Sequence, residues 1–102
     1  MQICARYTDK VLYVDLDGEL DEHSAVEARR KADQFAEDYI QSEKAVFNLK
    51  NVTFMDSTGI GFLIGRYKKF RRFGIPMYIT NPSLTTDKIL SISGVYTLIP
   101  RI

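Results

Sequence analysis

The spacing of apolar residues in this chain switches repeatedly between every second position and helical periodicity, and that alternation limits what it can fold into. Val11-Leu12-Tyr13-Val14-Asp15-Leu16-Asp17 places Leu12, Val14 and Leu16 on one face and predicts a strand. Residues 2–7 are expected to pair with it across a turn at Thr8-Asp9-Lys10, and Gly18 to break the pattern. From about Ser24 to Gln41 the positions Ala25, Ala28, Ala32, Phe35, Ala36, Tyr39 and Ile40 recur at helical spacing. Ser24 with Glu27 three residues later reads as a capping box, and Asp21 competes as the cap.

Ala45-Val46-Phe47-Asn48-Leu49 follows as a short buried strand. A second helix is expected to start at Asp56 or Ser57 and reach about Phe73, with Gly74 as its stop. Ile60, Leu63, Ile64, Tyr67 and Phe70 form its apolar stripe. Pro76 to Thr80 reads as a strand, Asn81-Pro82-Ser83 opens a third helix running to Ser93, and Gly94 ends it. Tyr96-Thr97-Leu98-Ile99 is expected as a last strand. The order ββαβαβαβ implies an α/β fold with a mixed, mainly parallel sheet of four to five strands and crossover helices. With 102 residues and no linker, repeat or low-complexity stretch, one domain spanning 1–102 is expected.

Composition removes several classes of function. No run approaches the roughly 18 apolar residues of a membrane span. The opening Met1-Gln2-Ile3-Cys4-Ala5-Arg6 lacks the basic-then-apolar layout of a secretory signal. A single cysteine, Cys4, excludes an internal disulfide. A cytoplasmic protein with no membrane partner is therefore expected. The net charge of +1 hides an asymmetry: residues 1–51 carry 7 basic and 11 acidic side chains, residues 52–102 carry 7 and 2. A pI near 7.8 is too low for a typical nucleic-acid binder, so two surfaces that steer protein partners are the expectation.

Phe54-Met55-Asp56-Ser57-Thr58-Gly59-Ile60-Gly61-Phe62-Leu63-Ile64-Gly65 is the segment least like scaffold. It sets a serine where a loop becomes a helix. Such a serine is either an N-cap or a residue whose phosphate would sit well against free N–H groups and the helix dipole. Gly61 and Gly65 lie four apart on one helix face, each costing about 1 kcal/mol relative to alanine. Their compensation is close packing, either on the domain's own sheet or against a partner at an open dock flanked by Arg66, Lys69 and Arg72.

Two other readings fail on spacing. The G-x-G-x-x-x-G pattern is not a dinucleotide fingerprint: about seven residues are expected between it and the preceding strand, and no acidic residue lies about 20 positions on. A serine hydrolase would need a glycine two before Ser57 and a histidine base, whereas the one histidine, His23, is expected exposed near a helix start. No His, Cys or acidic cluster has metal-ligand spacing, so no metal or cofactor is implied.

Phe54-Met-Asp-Ser-Thr-Gly-Ile-Gly61 followed by Gly65-Arg-Tyr-Lys68 resembles the phosphorylation loop of the STAS-domain anti-sigma factor antagonists, and within them the sporulation stage II AA type of the sigma-F pathway. Leu16-Asp-Gly-Glu-Leu-Asp21, Asn81-Pro-Ser83 and Ile92-Ser-Gly94-Val-Tyr96 match in the same order. The resemblance implies a regulator with no catalysis of its own. Its unphosphorylated form binds an anti-sigma factor that is also an ATP-dependent serine kinase, and so frees the sigma factor. Phosphate on Ser57 switches it off, and a metal-dependent serine phosphatase restores it. The resemblance makes Asp21 and Asp56 the acidic flanks of Ser57, and places Glu19, Thr58, Gly59, Gly61, Gly65 and Arg66 at the partner-binding surface. It also implies a C-terminal helix that this sequence, ending at Ile102, lacks, with exposure of an apolar sheet face as the expected consequence. The competing readings are a STAS docking module that is never phosphorylated, a nucleotide-binding helix start, and an enzyme using His23.

Overall fold

The computed structural model describes all residues, 1–102. Strand β1 (Gln2–Thr8) runs antiparallel to β2 (Val11–Leu20), joined by a tight turn with Asp9 and Lys10 at positive φ. Helix α1 (Glu22–Asp38) crosses to β3 (Lys44–Met55), and helix α2 (Ser57–Arg72) crosses to β4 (Met77–Thr80). Helix α3 (Leu84–Ser93) and a 3₁₀ turn at Val95–Thr97 complete the chain. The sheet order is β1-β2-β3-β4, with β2, β3 and β4 parallel.

Strand order equals chain order, so the two crossovers step in the same direction. Right-handed connections then put α1 and α2 on one face of the sheet, side by side, and the two helices do pack together. Ala28, Ala32 and Ala36 let α1 lie close to the sheet. Residues paired across strands share a face, and Ile3, Leu16, Leu12, Ala45, Val14, Phe47 and Ile79 are all buried beneath the helices. Phe47 is fully buried and meets Phe62 and Phe70 of α2 edge to face, at 6.4 and 5.6 Å.

The opposite face of the sheet is mixed and is not the open apolar surface expected: Val46 is buried there among Tyr13, Tyr78 and polar side chains. Arg6 donates to the Asp15 carboxylate through two nitrogens, Asn48 donates to Asp15 at 2.9 Å, and Asn81 donates to Asn48 at 3.3 Å. The Arg6 guanidinium also stacks over Tyr13 and the Lys44 ammonium over Tyr78. Paired charges and cations on aromatic rings suit a surface that stays wet.

Four expectations are refined or corrected. Gly18, at φ +112°, does break the pairing register, but β2 does not stop there and continues to Leu20. The third strand is far longer than Ala45–Leu49: it runs on to Met55, with Val52 and Met55 buried in the core and Lys50, Asn51, Thr53 and Phe54 exposed. Of the two caps the sequence offers for α1, Asp21 is the one used: it forms a capping box with Ser24 in place of the Ser24–Glu27 pair, and Glu27 accepts from Arg30 instead. Tyr96–Ile99 is not a strand: Gly94, at φ +81°, turns the chain into the 3₁₀ segment, and only an isolated bridge joins Ile79 to Arg101. The sheet therefore has four strands. Asp87 ties this end down, accepting from the Tyr96 hydroxyl and pairing with Arg101 at 2.9 Å. Burial, and the bond to Asp87, push the Tyr96 phenol far above its ordinary pKa.

Replacing Phe47 by alanine is expected to cost about 3–5 kcal/mol, a large part of the stability of a domain this size. Chemical denaturation would register this as a lower midpoint.

Candidate functional site

Register places the site. Leu20 at the end of β2 pairs with Met55 at the end of β3, so the next residues, Asp21 and Asp56, leave the sheet side by side. Each is the N-cap of its own helix. Asp21 accepts from the Ser24 N–H at 3.0 Å, and Asp56 accepts from the Thr58 N–H at 2.9 Å. Two helix N-termini, with their unpaired N–H groups and positive dipole ends, thus lie next to each other. The Ser24 amide holds the Asp21 carboxyl below its ordinary pKa, so this cap is charged at neutral pH.

The sequence left open whether Ser57 is a cap. Asp56 takes that role, and Ser57 is the first helical residue, exposed, with its hydroxyl unbonded. The other serines at helix starts are engaged. Ser24 Oγ donates to the Glu19 carbonyl at 2.7 Å and accepts from the Asp21 N–H, and Ser83 Oγ accepts from the Thr86 N–H. Thr58 is half-buried and sits one residue deeper in the helix. Ser57 therefore presents an exposed, unbonded hydroxyl at this end of the molecule.

The three glycines of the segment have separate roles. A Cβ on Gly59 would lie 2.4 Å from Met55 Cγ and 3.4 Å from Leu20 Cδ2, so this buried residue seats the first turn of α2 on the strand ends. Gly59 is expected at the partner surface, and the structure turns it inward instead. Gly61 and Gly65 have nothing within 4 Å of an added Cβ, which decides between the two readings of their face: it does not pack on the sheet. They line an open groove of about 430 Å³ between α1 and α2, with Ala25, Val26 and Arg29 on the α1 wall. Val26 is 63% exposed there.

Arg66 is also placed differently. Its side chain is only 7% exposed and runs under the groove, where Nε meets Asp33 Oδ1 of α1 at 2.6 Å. The N–H is poorly aligned with the carboxylate, so the contact is ionic in character. The guanidinium lies 5.2 Å from the Phe62 ring centroid and donates weakly, at 3.4 Å, to the Phe62 carbonyl. Burial lowers its pKa below that of an ordinary arginine, opposed by the Asp33 charge. It joins α1 to α2, a role that the cationic cluster in sequence did not reveal because Asp33 lies on another helix.

Around Ser57 the rim is acidic, with Asp21 and Asp56 half-buried and Glu19 and Glu22 exposed, and the groove beyond it carries Arg29 and Arg66. His23 is exposed and forms no side-chain hydrogen bond, so no Ser–His–Asp relay is assembled. No group of three metal-ligating side chains comes together. Because β3 reaches Met55, the expected gap before the glycines shrinks to Asp56, Ser57 and Thr58; the dinucleotide reading fails on the remaining two counts. No helix is long and apolar enough to cross a membrane.

Comparison with known proteins agrees with this geometry. The model of the STAS domain matches residues 2–102. An anti-sigma F factor antagonist of Paenibacillus polymyxa is 36% identical over 100 residues, covering 98% of this chain and 85% of the relative. The solved structure of the anti-sigma factor antagonist SpoIIAA in its unphosphorylated form is 25% identical, with TM-score 0.77 over 99% of this chain and 88% of that one. The structure of the Bacillus cell fate determinant SpoIIAA in the phosphorylated form, also 25% identical, gives 0.70 over 99% and 91%.

The glycines should separate in stability measurements. Gly61→Ala and Gly65→Ala should each stabilise the fold by up to about 1 kcal/mol through helix propensity. Gly59→Ala should destabilise by about 1 kcal/mol, because overpacking against Met55 outweighs the same gain. Arg66→Ala should cost about 2–3 kcal/mol by opening the pair with partly exposed Asp33. Thermal unfolding of the four variants checks the order.

Proposed function

The chain belongs to the STAS-domain family, and from that premise we propose that it is an anti-sigma factor antagonist switched by phosphate on Ser57. The observation that carries this reading is the free hydroxyl of Ser57, exposed at a helix start while every comparable serine is bonded. The similarity to an antagonist solved in both phosphorylation states supports it.

The unphosphorylated form binds a cognate anti-sigma factor in the cytoplasm and frees the sigma factor. The open face at Gly61 and Gly65 lets a partner's backbone approach closely, with Glu19, Asp21, Asp56 and Thr58 beside it. The anti-sigma factor also transfers the ATP γ-phosphoryl to Ser57 Oγ, whose proton leaves, and a metal-dependent serine phosphatase reverses the step. The chain is substrate and ligand in this cycle, without catalysis of its own. The two neighbouring helix N-termini accommodate the phosphate without unfolding the host. Nearly two negative charges are thereby added to a rim that is already acidic. A partner carboxylate about 4 Å away would be repelled by roughly 4 kcal/mol at an effective dielectric near 20. That is on the order of a thousandfold in affinity.

Incubation with the cognate anti-sigma factor and Mg-ATP, followed by peptide mass spectrometry, should place phosphate on Ser57 and none on Thr58. Ser57→Ala should bind while accepting no phosphate, and Ser57→Asp should bind at least tenfold more weakly. Equal affinities for the two variants, measured by calorimetry, would remove the switch and leave an unphosphorylated docking module.

A further inference from the structure

A second cleft lies toward the far end of α2, where its lining residues Tyr67 and Arg71 stand about 15 and 21 Å along the helix from Ser57 at 1.5 Å of rise per residue. Its volume is about 420 Å³, and it lies between the end of α2, the start of β4 and the C-terminal segment. Ile75 and Met77 are buried at this site, and Pro76, Tyr78, Leu98 and Pro100 complete its largely apolar lining. Leu98 remains 43% exposed. On one side stand Tyr67 and Arg71, where the guanidinium donates to the Tyr67 hydroxyl at 3.3 Å. A shallower depression sharing Tyr67, Arg71 and Leu98 adds Lys68 and Arg72.

Charge identifies the kind of occupant. No acidic residue occurs between Asp56 and Asp87, and Lys68, Arg71 and Arg72 form no salt bridge. The helix C-terminus contributes only about half a negative charge, so these cations leave a net positive rim over an apolar floor. Two of the lining residues are prolines, which have no N–H to offer a peptide or other polar chain. At about 30 Å³ per water-sized group, 420 Å³ holds on the order of a dozen heavy atoms. We infer that this cleft binds a small amphipathic anion, a medium-length acyl carboxylate, with the chain against Pro76, Tyr78, Leu98 and Pro100 and the carboxylate on Arg71. The assignment is independent of the Ser57 switch.

Titration of the ¹⁵N-labelled chain with decanoate, below its micellar concentration and at low ionic strength, tests it by NMR. Decanoate should shift the amides of Ile75, Met77, Tyr78 and Leu98 saturably, while acetate and decylamine should not. Arg71→Gln, an exposed position whose change should leave the unfolding midpoint alone, should weaken binding roughly tenfold or more. Leu98→Glu, which puts a carboxylate in the cleft, should do the same. Equal response to decylamine, shifts centred elsewhere, affinity untouched by Arg71→Gln, or binding of an acidic peptide with decanoate inert would each overturn the assignment.

Discussion

The parallel pairing of β2 with β3 is the constraint on which the rest depends. It ends the two strands together at Leu20 and Met55. Because each strand is followed at once by an aspartate cap, the N-termini of α1 and α2 are set side by side. A register slip of one residue would invert the faces of the strand and separate the caps. The acidic rim, the exposed serine and the groove between the helices all follow from this single alignment.

Packing then divides α2 into faces with distinct functions. Phe62, Leu63 and Phe70 fill the core, while Gly59 removes a side chain where the first turn must touch Met55. Gly61 and Gly65 lower the intrinsic helix stability with no compensating contact inside the domain. Arg66 fixes the distance between α1 and α2 through Asp33, and so sets the width of the groove the glycines line. An unfavourable local choice kept on an open surface is what the proposed dock calls for, since rules of local stability are broken most often at functional sites.

Much of this was legible in the sequence, and the failures have physical causes. Helix α2, its start beside Ser57 and its stop at Gly74 could be read from periodicity and turn chemistry, as could α3 with its Ser83 and Gly94 ends. The extension of β3 could not, since Lys50-Asn-Val-Thr-Phe54 has little continuous hydrophobicity and is held by its pairing with β2. Tyr96–Ile99 carries a strand-like composition, but tertiary ties through Asp87 and the left-handed Gly94 override it. Whether Ser57 caps its helix was ambiguous because Asp56 caps equally well, and only the structure assigns the role. The inward orientation of Gly59 and the burial of Arg66 depend on Met55 and Asp33, contacts that no local pattern records.

The most direct test is the dissociation constant for the cognate anti-sigma factor, measured with the same preparation before and after stoichiometric phosphorylation of Ser57. The expected result is weakening on the order of a thousandfold, with backbone amide shifts confined to the ends of β2 and β3 and the first turns of α1 and α2. An unchanged dissociation constant, or shifts spread through the whole sheet, would contradict a local electrostatic switch.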